Sequence, residues 1–82
     1  MGRPVLTLYM RQDCHLCEEM RIELVRLQAC LEFELRLVDI DQDPRLVERF
    51  NHKVPVLAHG DHEICYYFLE EEALRECLAR AR

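Results

Sequence analysis

Val5-Leu6-Thr7-Leu8-Tyr9-Met10, followed after three polar residues by Cys14-His15-Leu16-Cys17, is the stretch that decides the fold of this chain. The apolar run is typical of a strand, and a long helical pattern begins at the cysteines. Two thiols three residues apart at a helix start can meet in a small disulfide ring, and the unpaired amides of the helix stabilise the first thiolate. The stretch therefore predicts a redox-active pair between a strand and a helix.

Composition indicates one globular domain over residues 1–82. Half of the residues are apolar and a third are charged, and sixteen acidic residues outnumber eleven basic ones to give a net charge of −5. No cluster of Lys or Arg is present, so we expect no nucleic-acid partner. Met1-Gly2-Arg3-Pro4 predicts no signal segment, and no apolar run is as long as a membrane span. We expect a cytoplasmic monomer that does not bind membranes.

The other three cysteines have a simpler interpretation. A total of five cysteines is odd, so the chain cannot carry a fully paired disulfide framework. Cys30, Cys65 and Cys77 fall within apolar patterns, where a free cysteine behaves as a small hydrophobe. A lone Cys-x-x-Cys supplies only two of the four ligands of a structural zinc site, so we predict no metal site.

The hydrophobic pattern predicts the order β-α-β-α-β-β-α. The crossover helix makes the first two strands parallel, and a turn at Gly60-Asp61 makes the last two an antiparallel hairpin. We therefore expect an α/β fold with a four-stranded mixed sheet and helices on both faces. The predicted strands are Val5–Met10, Phe33–Ile40, Val56–Ala58 and Glu63–Tyr66, and the predicted helices are Cys14–Leu31, Pro44–Asn51 and Leu69–Arg80.

This order resembles the glutaredoxin-like branch of the thioredoxin fold over nearly the whole chain. The resemblance depends on Cys14-His15-Leu16-Cys17 after the first strand and on Lys53-Val54-Pro55-Val56 before the third. It implies a cis peptide bond at Val54-Pro55 that faces the redox pair. It also implies that the backbone of Val54 pairs with a bound thiol peptide, so that Val54 and Pro55 shape the substrate groove.

Several side chains near the motif have candidate roles. Cys14 is placed to attack a disulfide, because a loop-to-helix junction combines exposure with amide hydrogen bonds, and Cys17 is placed one turn further in to resolve the mixed disulfide. Nearby carboxylates oppose the thiolate, and Arg11 offsets part of this, as a basic residue near the motif does in glutaredoxins. His15 either stabilises the thiolate or is solvated. Lys53 either attracts a substrate carboxylate or is a solvated cation.

Two departures from the glutaredoxin pattern concern the electron donor. Glutaredoxins carry Pro-Tyr between the cysteines, where this chain has His15-Leu16. After the fourth strand they carry Gly-Gly, a small residue and Asp, where this chain has Cys65-Tyr66-Tyr67-Phe68. Glycines let backbone amides approach a ligand carboxylate closely. We therefore expect no built-in cofactor, and we expect glutathione to be a weak external reductant.

These features predict a thiol-disulfide oxidoreductase that reduces protein or small-molecule disulfides, with glutathione or a flavoprotein reductase as the donor. Two alternatives remain open. A metal or iron-sulfur carrier would need ligands from a second chain or from glutathione, because two thiolates cannot complete a cluster site. A redox-inert adaptor would keep the fold and bind a partner through the cleft.

Overall fold

The computed structural model describes residues 2–81, and these form four strands and three helices in the predicted order. A 3-10 turn over Ile40–Gln42 follows the second strand. The β-α-β-α-β-β-α prediction is confirmed. The strands are β1 (Val5–Met10), β2 (Glu34–Asp39), β3 (Val56–His59) and β4 (His62–Tyr66), and the helices are α1 (His15–Leu27), α2 (Pro44–Phe50) and α3 (Glu71–Arg80).

The sheet is mixed, as expected, with the strand order β2-β1-β3-β4. Strand β1 is parallel to β2 and antiparallel to β3, and β3 is antiparallel to β4. Tyr9, near the end of β1, pairs with Val56, the first residue of β3. Two loops therefore lie at the same end of the sheet. One leaves β1 toward the cysteines, and the other enters β3 through Pro55.

Helices cover both faces of the sheet, because successive side chains of a strand point to opposite sides. Leu8 and Leu57 belong to the main core under α1 and α3, whereas their neighbours Tyr9 and Val56 pack with α2. The Tyr9 ring lies against Phe50 of α2, with 4.6 Å between the ring centroids. The main core contains Leu6, Leu8, Met20, Leu24, Phe33, Leu57, Cys65, Leu74 and Leu78.

The first helix ends earlier than predicted. The apolar spacing continues to Leu31, but α1 ends at Leu27, and Gln28 caps it. The Gln28 side chain donates a hydrogen bond of 3.1 Å to the carbonyl of Phe33, which turns the chain back toward β2. Leu31 still packs against the main core from the loop. Cys30 is exposed, so the prediction of an apolar environment for this thiol is wrong.

The last helix begins later than predicted. Leu69 packs against the main core, but α3 starts at Glu71. The cap residue Glu70 makes no side-chain hydrogen bond to the helix. Residues 67–70 therefore form a non-helical segment between β4 and α3, and the apolar pattern extends into it because a loop residue can also face the core.

Candidate active site

The two cysteines of the motif form a disulfide at the start of α1, with their Cα atoms 5.2 Å apart. Cys14 is the cap residue of the helix, and its Sγ accepts a hydrogen bond of 3.1 Å from the backbone N–H of Cys17. Cys14 is partly exposed, whereas Cys17 is 2% exposed. The arrangement leaves one sulfur open to solvent and holds the other against the core.

Arg11 anchors the loop that precedes Cys14. Its Nη2 donates to the Asp41 carboxylate at 2.8 Å, and its Nη1 donates to the backbone carbonyl of Asn51 at 2.9 Å. The hydrogen bond from Arg11 lowers the pKa of Asp41. One side chain thus links the ends of β1, β2 and α2. The sequence placed Arg11 as a free charge near the thiols, and the structure pairs that charge with Asp41.

The carboxylates around the motif are partly neutralised by their neighbours. Glu18 forms an ion pair with Arg21 one turn along α1, and this hydrogen bond lowers the pKa of Glu18. The His15 side chain is 90% exposed, and its Nε2 lies 3.8 Å from Glu19. The His15 side chain therefore lies in solvent at the rim of the site.

The peptide bond between Val54 and Pro55 is cis, as predicted. Pro55 is buried, and its carbonyl accepts a hydrogen bond of 2.9 Å from the backbone N–H of Tyr67. The Tyr67 hydroxyl donates to the carbonyl of His52 at 2.6 Å. Tyr67, which has a φ of +65°, therefore contacts residues 52–55, here called the proline loop, at two points. The sequence placed Tyr67 in the segment that replaces the glutaredoxin glycines, but it gave no sign of this contact with the proline loop.

Lys53 is paired within the fold. Its Nζ donates to the Glu63 carboxylate at 2.7 Å and lies 5.0 Å from the centre of the Tyr66 ring. Arg49 of α2 approaches the same carboxylate at 3.5 Å. The hydrogen bond from Lys53 is the main reason that the pKa of Glu63 is lowered. Lys53 can therefore contact a substrate carboxylate only by sharing or leaving Glu63.

A cleft of about 490 Å³ lies at the β1–α1 loop, and both cysteines are among its lining residues. Its lining combines charged side chains with the apolar residues Leu8 and Met10 and with the two cysteines. Between Gly2 and Ala81, no three His, Cys, Asp or Glu side chains are grouped as metal ligands. No helix in that range is both long and apolar enough to cross a membrane. The lining includes Arg11, Asp13, Cys14, Cys17, Glu18 and Arg21.

Comparison with known proteins places this arrangement in a family. The profile of a glutaredoxin-like domain (DUF836) matches residues 5–79. The solution structure of protein Ne2328 from Nitrosomonas europaea is 39% identical, covers 95% of this chain and 94% of its own, and superposes with a TM-score of 0.85. Protein XcR50 from X. campestris is 33% identical, with 94% and 99% of the two chains covered and a TM-score of 0.71.

A more distant solved structure fixes the fold. Oxidized mitochondrial thioredoxin 3 from Saccharomyces cerevisiae shares 18% identity, covers 98% of this chain and 80% of its own, and has a TM-score of 0.62. The β-α-β-α-β-β-α sheet is thus a thioredoxin-type sheet, and the Cys14–Cys17 disulfide at the start of its first helix is compatible with redox chemistry.

Proposed function

This chain belongs to the glutaredoxin-like family of the thioredoxin superfamily, and we propose that it is a thiol-disulfide oxidoreductase acting through Cys14 and Cys17. The observation that supports this most is the contrast between the two sulfurs of one disulfide: Cys14 is accessible and capped by an amide, and Cys17 is buried. The loop that enters β3 lies at the same end of the sheet as the loop before Cys14, which supports a groove between them.

The proposed reaction begins with the reduced protein. The Cys14 thiolate attacks one sulfur of the substrate disulfide, forms a mixed disulfide, and releases the other substrate sulfur as a thiolate. Cys17 then loses its proton and attacks the Sγ of Cys14, which releases the second substrate thiol. The substrate gains two electrons and two protons, and the protein ends with the Cys14–Cys17 disulfide that the structure contains.

The surroundings of Cys14 favour its anionic form. The backbone N–H of Cys17 points at its Sγ, and the positive end of α1 lies directly behind it. The nearest carboxylate along the helix, Glu18, is held by Arg21 and so opposes the thiolate less. Arg11 contributes by fixing the loop before Cys14 to Asp41, which keeps the attacking sulfur at the helix start.

We further propose that the electron donor is a dithiol supplied by a flavoprotein reductase, with glutathione only a weak substitute. Tyr67 lies in the segment where glutaredoxins carry the glycine pair, and it combines a positive φ with a large side chain that glycine would not add. That side chain reaches the proline loop, where its hydroxyl donates to the carbonyl of His52, and we propose that it hinders the approach of a ligand carboxylate to this segment. Reduced thiols are maintained in the cytoplasm, which we propose as the compartment.

A single-turnover experiment tests the oxidoreductase. The reduced protein is mixed with excess bis(2-hydroxyethyl) disulfide, and released thiol and protein mass are followed. We expect two thiols per chain and a loss of two hydrogens from the protein, no reaction with Cys14→Ser, and normal reaction with the matched control Cys30→Ser. Full activity in Cys14→Ser would exclude the proposed mechanism, and an unreactive wild-type protein would favour the adaptor.

A titration tests the donor. Glutathione is added to the Cys17→Ser variant and backbone amide shifts are followed. We expect weak, salt-sensitive association, and we expect Tyr67→Gly introduced into that variant to strengthen it, with Tyr66→Gly as the matched control. Tight binding by the parent variant, centred on residues 65–68, would contradict the proposal for the donor but not the proposal for the reaction.

A further inference from the structure

A small recess lies along the first turns of α1, and it has no lining residue in common with the cleft at the cysteines. Its volume is about 170 Å³, and it separates α1 from the segment that joins β4 to α3. This is smaller than the roughly 300–1,000 Å³ of typical small-molecule pockets. Its size suits one side chain of a bound partner. Its apolar walls include Leu16, Met20, Tyr67 and Phe68, and its carboxylates are Glu19 and Glu23.

The α1 side of the recess is a single helical face. Leu16, Glu19, Met20 and Glu23 are spaced i, i+3, i+4 and i+7, so they lie above one another along the helix. Met20 is buried and forms the floor, whereas the two glutamates are exposed. Leu16 belongs to the Cys-x-x-Cys motif, so the recess begins at the first turn of α1, which also carries the disulfide.

The opposite wall is an exposed aromatic surface. Phe68 is 66% exposed and Tyr67 is 37% exposed, and Tyr66 adds a third ring. Consecutive exposed aromatic residues beside a reactive centre are typical of a surface that binds another protein. Aromatic faces also attract cations and pack against the methylene stems of long basic side chains.

The charges at the recess select the partner. Among residues 2–81, no basic side chain lies within 4 Å of Glu23, and the neighbour of Glu19 is the exposed His15 at 3.8 Å. Both carboxylates therefore face solvent next to an apolar floor. A side chain with an apolar stem and a positive head complements this combination.

We propose that the recess receives a lysine or arginine side chain adjacent to the reactive cysteine of a protein disulfide, so that the substrates are disulfides flanked by basic residues. The inference rests on the proposed function, since it names the substrates of the same site. The stem packs between Leu16 and Phe68, the head reaches Glu19 and Glu23, and the neighbouring substrate sulfur is brought to Cys14.

Symmetric peptide disulfides test this proposal. Each peptide has one central Cys flanked on both sides by Lys, by Gln or by Glu, and each reduction yields two peptide thiols and the Cys14–Cys17 disulfide. Single-turnover rates are measured for the wild type, for the double variant Glu19→Gln/Glu23→Gln, and for the matched control Glu32→Gln/Glu48→Gln. Comparing proteins on the same peptide cancels the intrinsic reactivity of that peptide.

We expect the double variant to lower the ratio of Lys-peptide to Glu-peptide rates by about threefold to tenfold relative to the wild type, because two exposed ion pairs are lost. The control should keep most of the wild-type ratio, and the Gln-peptide rate should change little. Added salt should reduce the wild-type preference. Phe68→Ala should weaken the preference as well, because the stem loses its wall.

Three other results have distinct meanings. An unchanged rate ratio in the double variant would overturn the inference and leave the proposed function intact. A wild-type protein that reduces none of the peptides would overturn the proposed function itself. Concentration-dependent dimerisation in sedimentation, abolished by Phe68→Ala, would assign the recess to a second copy of the chain and would also overturn the inference.

Discussion

Alkylation of the fully reduced protein should label Cys14 before any other cysteine. A hydrogen bond to a charged group is worth about 1 kcal/mol more than one to a neutral group, and the Cys17 N–H supplies such a bond to the Cys14 thiolate. A helix N-terminus adds about 0.3–1 kcal/mol. The sum raises the equilibrium constant for thiolate formation about tenfold to thirtyfold, which near pH 7 makes the thiolate fraction about eightfold to sixteenfold that of an ordinary exposed thiol.

The labelling rate should rise by less than the thiolate fraction. A more stable thiolate is a weaker nucleophile, with a Brønsted coefficient of about 0.4–0.5, so the net advantage of Cys14 is about threefold to fourfold. Cys17 is shielded by burial, and burial raises the pKa of both Cys65 and Cys77. Cys30 is the proper reference thiol, because it is also exposed but lies after the C-terminal end of α1, away from the helix N-terminus that stabilises a thiolate.

The assay uses limiting iodoacetamide near neutral pH, an acid quench and peptide mass spectrometry. The Cys17→Ala variant is a sharp control, because the donor to Cys14 is a backbone N–H that alanine retains. Cys14 should therefore stay the fastest site in that variant. The reasoning would be refuted if Cys30 were labelled as fast as Cys14 in the wild type, or if Cys17→Ala removed the advantage of Cys14.

Four further predictions concern trapping, core stability, the pH dependence of stability and metal content. The Cys17→Ser variant should accumulate a mixed disulfide between Cys14 and substrate, visible by intact mass, and rapid turnover to free substrate thiol would count against Cys17 as the resolving residue. Leu74→Ala should lower the free energy of unfolding by about 2–5 kcal/mol in urea titrations, because Leu74 is fully buried in the main core, and a loss below about 1 kcal/mol would show that the core repacks. The ion pair with Lys53 lowers the pKa of Glu63 in the folded protein, so the pair stabilises the fold above the unfolded pKa near 4.5, and this stabilisation is lost as the pH falls through the folded pKa. The urea midpoint should therefore fall more between about pH 7 and about pH 3 in the wild type than in Glu63→Gln. Equal falls in the two proteins would contradict this prediction. Elemental analysis should find no stoichiometric zinc or iron in the purified protein, and one equivalent per chain that is lost in Cys14→Ser would favour the carrier.

The sequence was sufficient for features that depend on local spacing. The redox pair could be located because a strand, a short loop and a helix start are read within thirteen residues, from Val5 to Cys17. The element order followed from hydrophobic periodicity, and the cis bond at Val54-Pro55 followed from the family resemblance. Helix ends were less accessible, because Leu31 and Leu69 face the core from loops and so extend the apolar pattern beyond the helices.

Features that depend on distant contacts could not be predicted. The pairing of Lys53 with Glu63 exists because β4 returns beside the proline loop, and the pairing of Arg11 with Asp41 joins residues thirty positions apart. The hold of Tyr67 on the proline loop depends on a positive φ that aromatic residues rarely adopt. Nothing in residue type or spacing identifies these partners before the sheet is assembled.

The order of the sheet leaves β2 with one edge that no strand of residues 2–81 covers. Leu37 on this edge is 49% exposed, and such an edge is a template on which another chain can add a strand and aggregate. Glu34 and Arg36 are exposed beside it, and charges on an edge strand discourage that addition. A redesign of this surface must therefore keep those charges, because an apolar residue in place of Arg36 would make the edge strand continuously apolar from Leu35 to Val38 and prone to aggregation.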